Sequence, residues 1–445
     1  MSDDRTLNFS DFTGKTITEK DVTSKLSFHK KWITKIIIPD SVTSIDNKAF
    51  YDFRNLRSLT LPNKLTTIGS EAFYGCYWLE SLTIPDSVTS IGENAFRECS
   101  NLRSLKLSES LTTINMATFF NCDSLTSLII PNSVKEISNY AFSKCEKLVS
   151  LQLSNELLTI DNGAFWCCES LTSLKLPDKL TTIDCKAFYN CKKLESLIIS
   201  DSVKNIKYCA FSNCNSLTSL KLSESLITIC DSVFQNCEKL EKLIIPNSVK
   251  TIKEYAFFNC KNLRSLKLSE SLTTIGAGAF KNCNKLESLT LPDKLTTIGS
   301  EAFSECKKLK SLTIPDSVKG IDGKAFSKCN SLKSLQLSKS LKRISGGVFH
   351  NCINLTSLTL PDKLTTIGAG AFENCNKLES LTLPDKLTII GEEAFSQCKK
   401  LKSLIIPNSV KAIREKTFYF CNSLTSLKLS DSLETIPSSA FHNCK

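Results

Sequence analysis

Histidine, methionine and tryptophan are nearly missing from this chain of 445 residues, at three, two and three copies. His29, His350 and His442 stand far apart, outside any repeated polar constellation, whereas Ser-His-Asp or Cys-His chemistry needs a base held beside its nucleophile. No G-x-x-x-x-G-K-[ST] loop offers a cradle for a nucleotide phosphate. No apolar run approaches the ~18 residues of a membrane span. The net charge of +11 comes from 56 basic and 45 acidic side chains spread through the same segments, and no dense Lys/Arg run marks a nucleic-acid groove. The opening MSDDRTLNFSDFTGK has no basic start followed by an apolar stretch, so no signal peptide is visible. That is compatible with life inside the cell, with an unusual route of export, or with a removed leader. These absences lead to a non-enzymatic chain with no cofactor, no metal and no nucleic-acid partner.

What fills the chain instead is one pattern. Residues 71–93, EAFYGCYWLESLTIPDSVTSIGE, return every 23 residues from about Ala49 onward. The slot of Phe73 recurs from Phe50 to Phe441 in eighteen registers without a slip, and the slot of Ile91 is Ile in every copy from Ile45 to Ile436. The slots of Leu79, Leu82, Ile84 and Val88 accept only Leu, Ile or Val. A fixed period of this length belongs to a repeat fold, in which each unit buries its apolar face by stacking on its neighbours. One unbroken period across residues 31–445 implies a single elongated array of about eighteen coils.

Within Leu79–Ile84, apolar Leu82 and Ile84 alternate with polar Ser81 and Thr83, the period of a short strand with one buried face. The slot of Pro85 holds Pro in eleven coils and Ser in seven. Proline has no N–H to extend a ladder, so the chain turns there. Val88 and Ile91, three apart, suit a 3₁₀ or irregular turn, because no window is long enough for a stable helix. The Gly92 slot, with Gly69, Gly276, Gly299, Gly368 and Gly391, reads as a turn device.

The spacing L-x-x-L-x-L, then P-x-x-[LV]-x-x-I and A-F-x-x-C, resembles the leucine-rich repeat, and within it the 23-residue class of Treponema and of Bacteroides surface protein A, the BspA-like proteins. Eight slots recur together over roughly residues 30–445. The resemblance implies a leucine-rich-repeat solenoid of the α/β horseshoe type, with a parallel β-sheet on the concave face and short 3₁₀ or irregular turns on the convex face. It also implies cell-surface display and attachment to host cells or matrix proteins, as in oral bacteria and mucosal protists. The Asn that commonly closes the turn after the strand in leucine-rich repeats is absent, with Ser87, Lys64 or Lys179 in its place. The turn must therefore find its hydrogen bonds elsewhere.

Seventeen of the 21 cysteines occupy the Cys76 slot, where the first coil has Phe53. A slot that takes Cys or Phe is a buried apolar slot. Cys167, Cys185, Cys209 and Cys230 fall outside it, in four consecutive coils. They read either as a disulfide, redox or metal cluster or as drift in a tolerant turn.

Residues 1–30 lack the repeat but carry Leu7, Phe9, Phe12, Ile17 and Leu26 at strand-like intervals, as an N-terminal cap over the open core would, with Trp32 sealing the join. At the other end no polar cap follows Phe441. The edge formed by Leu427, Leu429, Leu433, Ile436 and Phe441 then faces water unless the natural chain is longer, the last coil folds over, or two molecules meet as a homodimer.

Function belongs on the exposed lanes of the sheet. The Ser81 lane is Ser in sixteen of eighteen coils, broken only by Lys35 and Lys242. The Thr83 lane varies: Lys106, Ile129, Lys175, Ile198, Lys221, Ile244 and Lys267 mix apolar and basic groups along its middle. This reads either as a contact surface for a partly acidic protein or as β-propensity with solubilising charge. On the outer turns Tyr51, Tyr74, Phe120, Trp166, Tyr189, Phe258 and Tyr419 follow the Phe slot, and packing against the next coil accounts for them best. The partner expected is a protein of a host matrix or cell surface, with a sulfated glycan as the other anionic candidate. An intracellular scaffold and a structural element joined end to end are the alternatives.

Overall fold

The computed structural model describes residues 5–26 and 29–444. Residues 1–4 and 27–28 of the expected cap, and residue 445 at the end of the array, lie outside the described residues. Two compact units, Met1–Leu217 and Thr218–Lys445, are built from the same coil.

In the first unit the expected strand is Ser81–Thr83, with Leu82 buried between exposed Ser81 and Thr83. It pairs in parallel with the strand 23 residues on, Ser81 against Ser104 and Thr83 against Lys106. A second ladder, which the sequence reading took for irregular turn, runs through the Ile slot: Thr67–Ile68 pairs with Ser90–Ile91. These strands are two residues long, too short for period-2 alternation to register. Their signal was the invariant Ile, whose side chain enters the core while its backbone bonds to the adjacent coil.

The arc between the Ile and Cys slots accounts for its backbone N–H groups by alternation. Glu71, Phe73 and Gly75 donate to Glu93, Ala95 and Arg97 of the next coil at 2.8–2.9 Å, while Ala72, Tyr74 and Cys76 donate three residues back at 3.2–3.4 Å. That geometry requires left-handed backbone at two positions, Glu71 at φ 57° and Gly75 at φ 72°, and the same two slots repeat the feature in both units. The second slot is filled by Asn in nine copies, such as Asn121, Asn282 and Asn374. Asn tolerates this region better than other non-glycine residues. Here it also bonds along the stack, Asn282 Nδ2 donating to Asn259 Oδ1 at 2.7 Å.

The turn after the long strand finds its hydrogen bonds in the [DN] of IP[DN]S. Asp86 Oδ1 accepts from the N–H of Glu109, and Asp316 Oδ1 from that of Lys339, each in the following coil. At Ser338, in one of the coils where Ser replaces Pro, the hydroxyl is fully buried and satisfied. Ser338 Oγ donates to Val318 O at 2.9 Å and accepts from Ser340 N at 3.1 Å.

The Gly92 slot has a different basis from the one expected. Its φ is not left-handed; instead, a Cβ on Gly92 would lie 2.3 Å from the backbone N of Ser70, so close approach of the coils at that step selects glycine there, while other copies of the slot, such as Asn115 and Lys253, carry a side chain. The left-handed glycines are Gly75, Gly163, Gly278, Gly347 and Gly370.

The core of each unit is a column of Phe rings. In the first unit Phe50 to Phe211 stack at 5.2–5.6 Å between centroids, and in the second Phe234 to Phe441 at 5.2–5.8 Å, with planes within about 15°. Beside it runs the Cys column. The thiols are donors as well as space-fillers: Cys76 Sγ reaches Phe50 O at 3.8 Å, and Cys283 Sγ reaches Phe257 O at 3.6 Å. Burial pushes the thiols of Cys145, Cys260 and Cys352 up to about 12.

At the N-terminus, Thr6–Asn8 and Thr16–Ile17 extend both ladders by pairing with Lys35–Ile37 and Ser44–Ile45. Leu7, Phe9 and Ile17 are buried, and helix Glu19–Lys25 adds Val22, its start closed by a Thr18–Asp21 capping box. Trp32 does not seal the join. It is 59% exposed, and Ile33 is the buried residue there. In the second unit the last described coil leaves Leu427, Leu429 and Ile436 at 37–45% exposure, with Leu433 and Phe441 half-buried.

Candidate functional site

The sequence-derived lane is where alternation placed it. In the first unit Lys106, Ile129, Lys175 and Ile198 are exposed, on strands Ser104–Lys106, Ser127–Ile129, Ser173–Lys175 and Ser196–Ile198. Lys175 and Ile198 face each other across one ladder step, and Ile129 faces Gln152. In the second unit Lys221, Ile244 and Lys267 are exposed, with Ile244 beside Lys267. Ile129, Ile198 and Ile244 keep 63–65% of their surface in water. A pleated strand with one buried face forces this, because Leu128, Leu197 and Leu243 take the inward positions.

The second unit concentrates these residues. Strands Ser219–Lys221 and Lys242–Ile244 belong to different ladders. Between them lies a cleft of about 510 Å³, lined by Lys242, Ile244, Glu224, Glu241, Pro246 and residues 218–222. Two of its lining residues, Lys221 and Ile244, were singled out from the sequence. Lys242 and Glu241 were not, although Lys242 carried a readable signal as one of two breaks in the Ser lane. Ile405, 62% exposed on the same lane, was also left out. The cleft offers apolar contact from Ile244 and Pro246 between two ammonium groups and two carboxylates.

The four displaced cysteines occupy four different slots. Cys167 sits in the left-handed slot before Cys168, where Asn190 Nδ2 lies 3.3 Å from its sulfur. Cys185 lies on the Ile-to-Phe arc, Cys209 occupies the first left-handed slot, and Cys230 follows Ile229. Burial raises the thiol pKa of Cys167 and of Cys185. Among the described residues no group of three or more His, Cys, Asp or Glu is placed to hold a metal ion. The outer aromatics are half-buried by mutual packing and by cations. Tyr51 stacks on Tyr74 at 4.9 Å, and the Arg97 guanidinium lies 4.1 Å from the centre of the Phe120 ring. No described helix is long and apolar enough to cross a membrane.

A family model for the BspA type leucine rich repeat region, six copies long, matches residues 22–149, 135–264, 228–356 and 342–445. A solved leucine-rich repeat protein from Bacteroides ovatus is 27% identical, with a TM-score of 0.62, over 82% of this chain and 84% of that one. A leucine rich cell surface protein from Faecalibacterium prausnitzii is 23% identical over 82% and 91% of the two chains, at a TM-score of 0.43. The pneumococcal vaccine antigen PcpA is 24% identical over 80% and 76%, at a TM-score of 0.38. No relative was found among curated proteins.

Proposed function

We propose, from the premise that this chain belongs to the BspA type leucine-rich repeat family, that it is a non-enzymatic protein which binds a protein of a host matrix or cell surface through the face of its three-residue strands. Solenoids of this family are as a rule binding scaffolds, and repeat stacking gives them long, regular surfaces. The observation that carries the reading is the cleft beside Lys221, Lys242 and Ile244, with further exposed Ile on the same lane. Isolated exposed apolar residues need no explanation, but several in register beside cations on a concave cleft are what a partner with apolar and acidic groups would meet. Sulfated glycans would use the lysines alone and would be released by salt.

Antibody labelling of intact and permeabilised cells that naturally make the protein tests the setting. Signal on intact cells supports the adhesin reading. Signal only after permeabilisation removes it and leaves the intracellular scaffold.

Self-association is the second reading. It is favoured by the exposed Leu427, Leu429 and Ile436 at the edge of the last described coil. Mass that rises with concentration, and no longer does so in Leu429→Lys, supports it. A monomer at high concentration removes it.

A further inference from the structure

The net charge is uneven along the array. Residues 307–343 of the second unit hold ten of the chain's 56 basic side chains and two of its 45 acidic ones, so eight of the eleven net positive charges fall there. All ten cations are exposed.

Elsewhere the stack neutralises many of its own lysines. Among the described residues, eight of them pair at 2.6–3.4 Å with a carboxylate in the same slot one coil earlier, as Lys179 does with Glu156, Lys261 with Glu238 and Lys402 with Glu379. At the short strands of the basic segment that device is missing. One coil before Lys342 stands Lys319, and one coil before Arg343 stands Gly320; one coil after them stand Thr365 and Thr366. Strands Gly320–Ile321 and Arg343–Ile344 belong to different ladders, so the short ladder is interrupted between these two coils. A Cβ on Gly320 would meet nothing within 4 Å, which leaves the position preceding Arg343 open. Lys339, in the turn just ahead of Lys342, adds a fourth cation. The carboxylates nearest in the chain are Asp316, Asp322 and Asp362. Asp316 accepts from the Lys339 N–H at 2.7 Å, and among the described residues none of the three forms an ion pair with any of the four cations. Like charges in neighbouring coils repel, and a bound anion would relieve that repulsion.

The surroundings select among anions. The single aromatic residue of 307–343 is Phe326, fully buried in its column, so nucleic-acid bases would find no ring to stack on. Hydroxyls are present instead: Ser340 in the turn, and Thr365 and Thr366 on the following coil, all half-buried at the rim of the cations. We propose that Lys319, Lys339, Lys342 and Arg343 form a binding site for a sulfated polysaccharide, whose sulfates neutralise the cations while its hydroxyls meet Ser340, Thr365 and Thr366. The site lies on the short strands and their turn, and it does not rest on the reading of the long-strand face as a protein-binding surface.

The test is calorimetric titration of the full chain, at about 0.15 M salt, with a heparin-derived hexasaccharide, its desulfated form and a DNA oligonucleotide of matched charge. The expected result is saturable binding of the sulfated hexasaccharide that weakens as salt rises, with the other two at least about tenfold weaker. Lys319→Gln, Lys342→Gln and Arg343→Gln together should weaken it at least about tenfold. Lys135→Gln, Lys204→Gln and Lys250→Gln together remove the same charge from the slot of Lys319 in coils where no cation precedes or follows, and should leave the affinity near that of the wild type. All six side chains are exposed, so both variants should keep the circular dichroism of the wild type. Absence of saturable binding, equal binding of the desulfated sugar or of DNA, or equal losses in the two triple variants would each overturn the proposal.

Discussion

Phe280→Ala probes how the array is held together. The ring is fully buried and stacks on Phe257 and Phe303, both at 5.3 Å. Truncating a buried Phe costs about 3–5 kcal/mol in transfer and cavity terms. The two lost ring pairs, each worth about 0.5–1.5 kcal/mol beyond area, place this site at the upper end. In a stack of nearest-neighbour contacts the loss stays local. Hydrogen exchange read by mass spectrometry should therefore quicken by roughly 10²–10³ or more in the coils of Phe257, Phe280 and Phe303, at about tenfold per 1.4 kcal/mol. Distant coils should be little changed. Phe441→Ala should cost less, because Phe441 is half-buried and, among the described residues, stacks on Phe418 alone. Equal effects at the two positions, acceleration below about fivefold at Phe280, or an even spread through the whole second unit would refute the columnar account.

Ser338→Ala takes the fully buried hydroxyl away from the Val318 carbonyl and the half-buried Ser340 N–H that it pairs, so a loss of about 1–3 kcal/mol is expected in denaturant titration. Gly92→Ala drives a methyl into the backbone of the preceding coil; overpacking of this kind costs about 1–3 kcal/mol and should lower the melting temperature, whereas Gly320→Ala, with open space around it, should not. Alkylation by iodoacetamide should be ordered by environment. The neighbouring Cys421 thiol holds the Cys444 thiol below its usual value, and Cys444 is only half-buried, so it labels first at pH 8. Cys260 and Cys352, raised to about 12 by burial, stay protonated and protected at that pH. Peptide mapping that found Cys260 labelled as fast as Cys444 in the native protein would contradict the burial assignment.

The long strand, the buried Cys slot and the Ile and Lys lane were legible because period-2 alternation and a repeat of 23 leave few other arrangements. Ile244 had to face out once Leu243 faced in. Other features were hidden for physical reasons. The second ladder is two residues per coil, below the length at which periodicity speaks. The left-handed slots are occupied by Glu71, Tyr140 or Lys324 as readily as by glycine, since stacking over-determines their backbone, and only the Asn that precedes the Cys slot in nine copies hinted at them. Gly92 looked like a turn residue because composition does not distinguish a positive φ from a close approach. The cleft at Lys221 and Lys242 and the unpaired cations at Lys319 and Lys342 depend on what neighbouring coils lack, and one coil read alone does not show it.

The claim that matters most is that the strand face binds a protein. Solid-phase binding to a panel of extracellular-matrix proteins, with heparin as the glycan arm, should be run on the wild type and on a variant carrying Ile129→Glu, Ile198→Glu and Ile244→Glu. All three positions are 63–65% exposed, so the variant should keep the circular dichroism of the wild type. The account predicts saturable wild-type binding to a matrix protein that the variant loses by at least about tenfold. Binding that the variant retains in full, or that appears on heparin alone and vanishes with moderate salt, would contradict it.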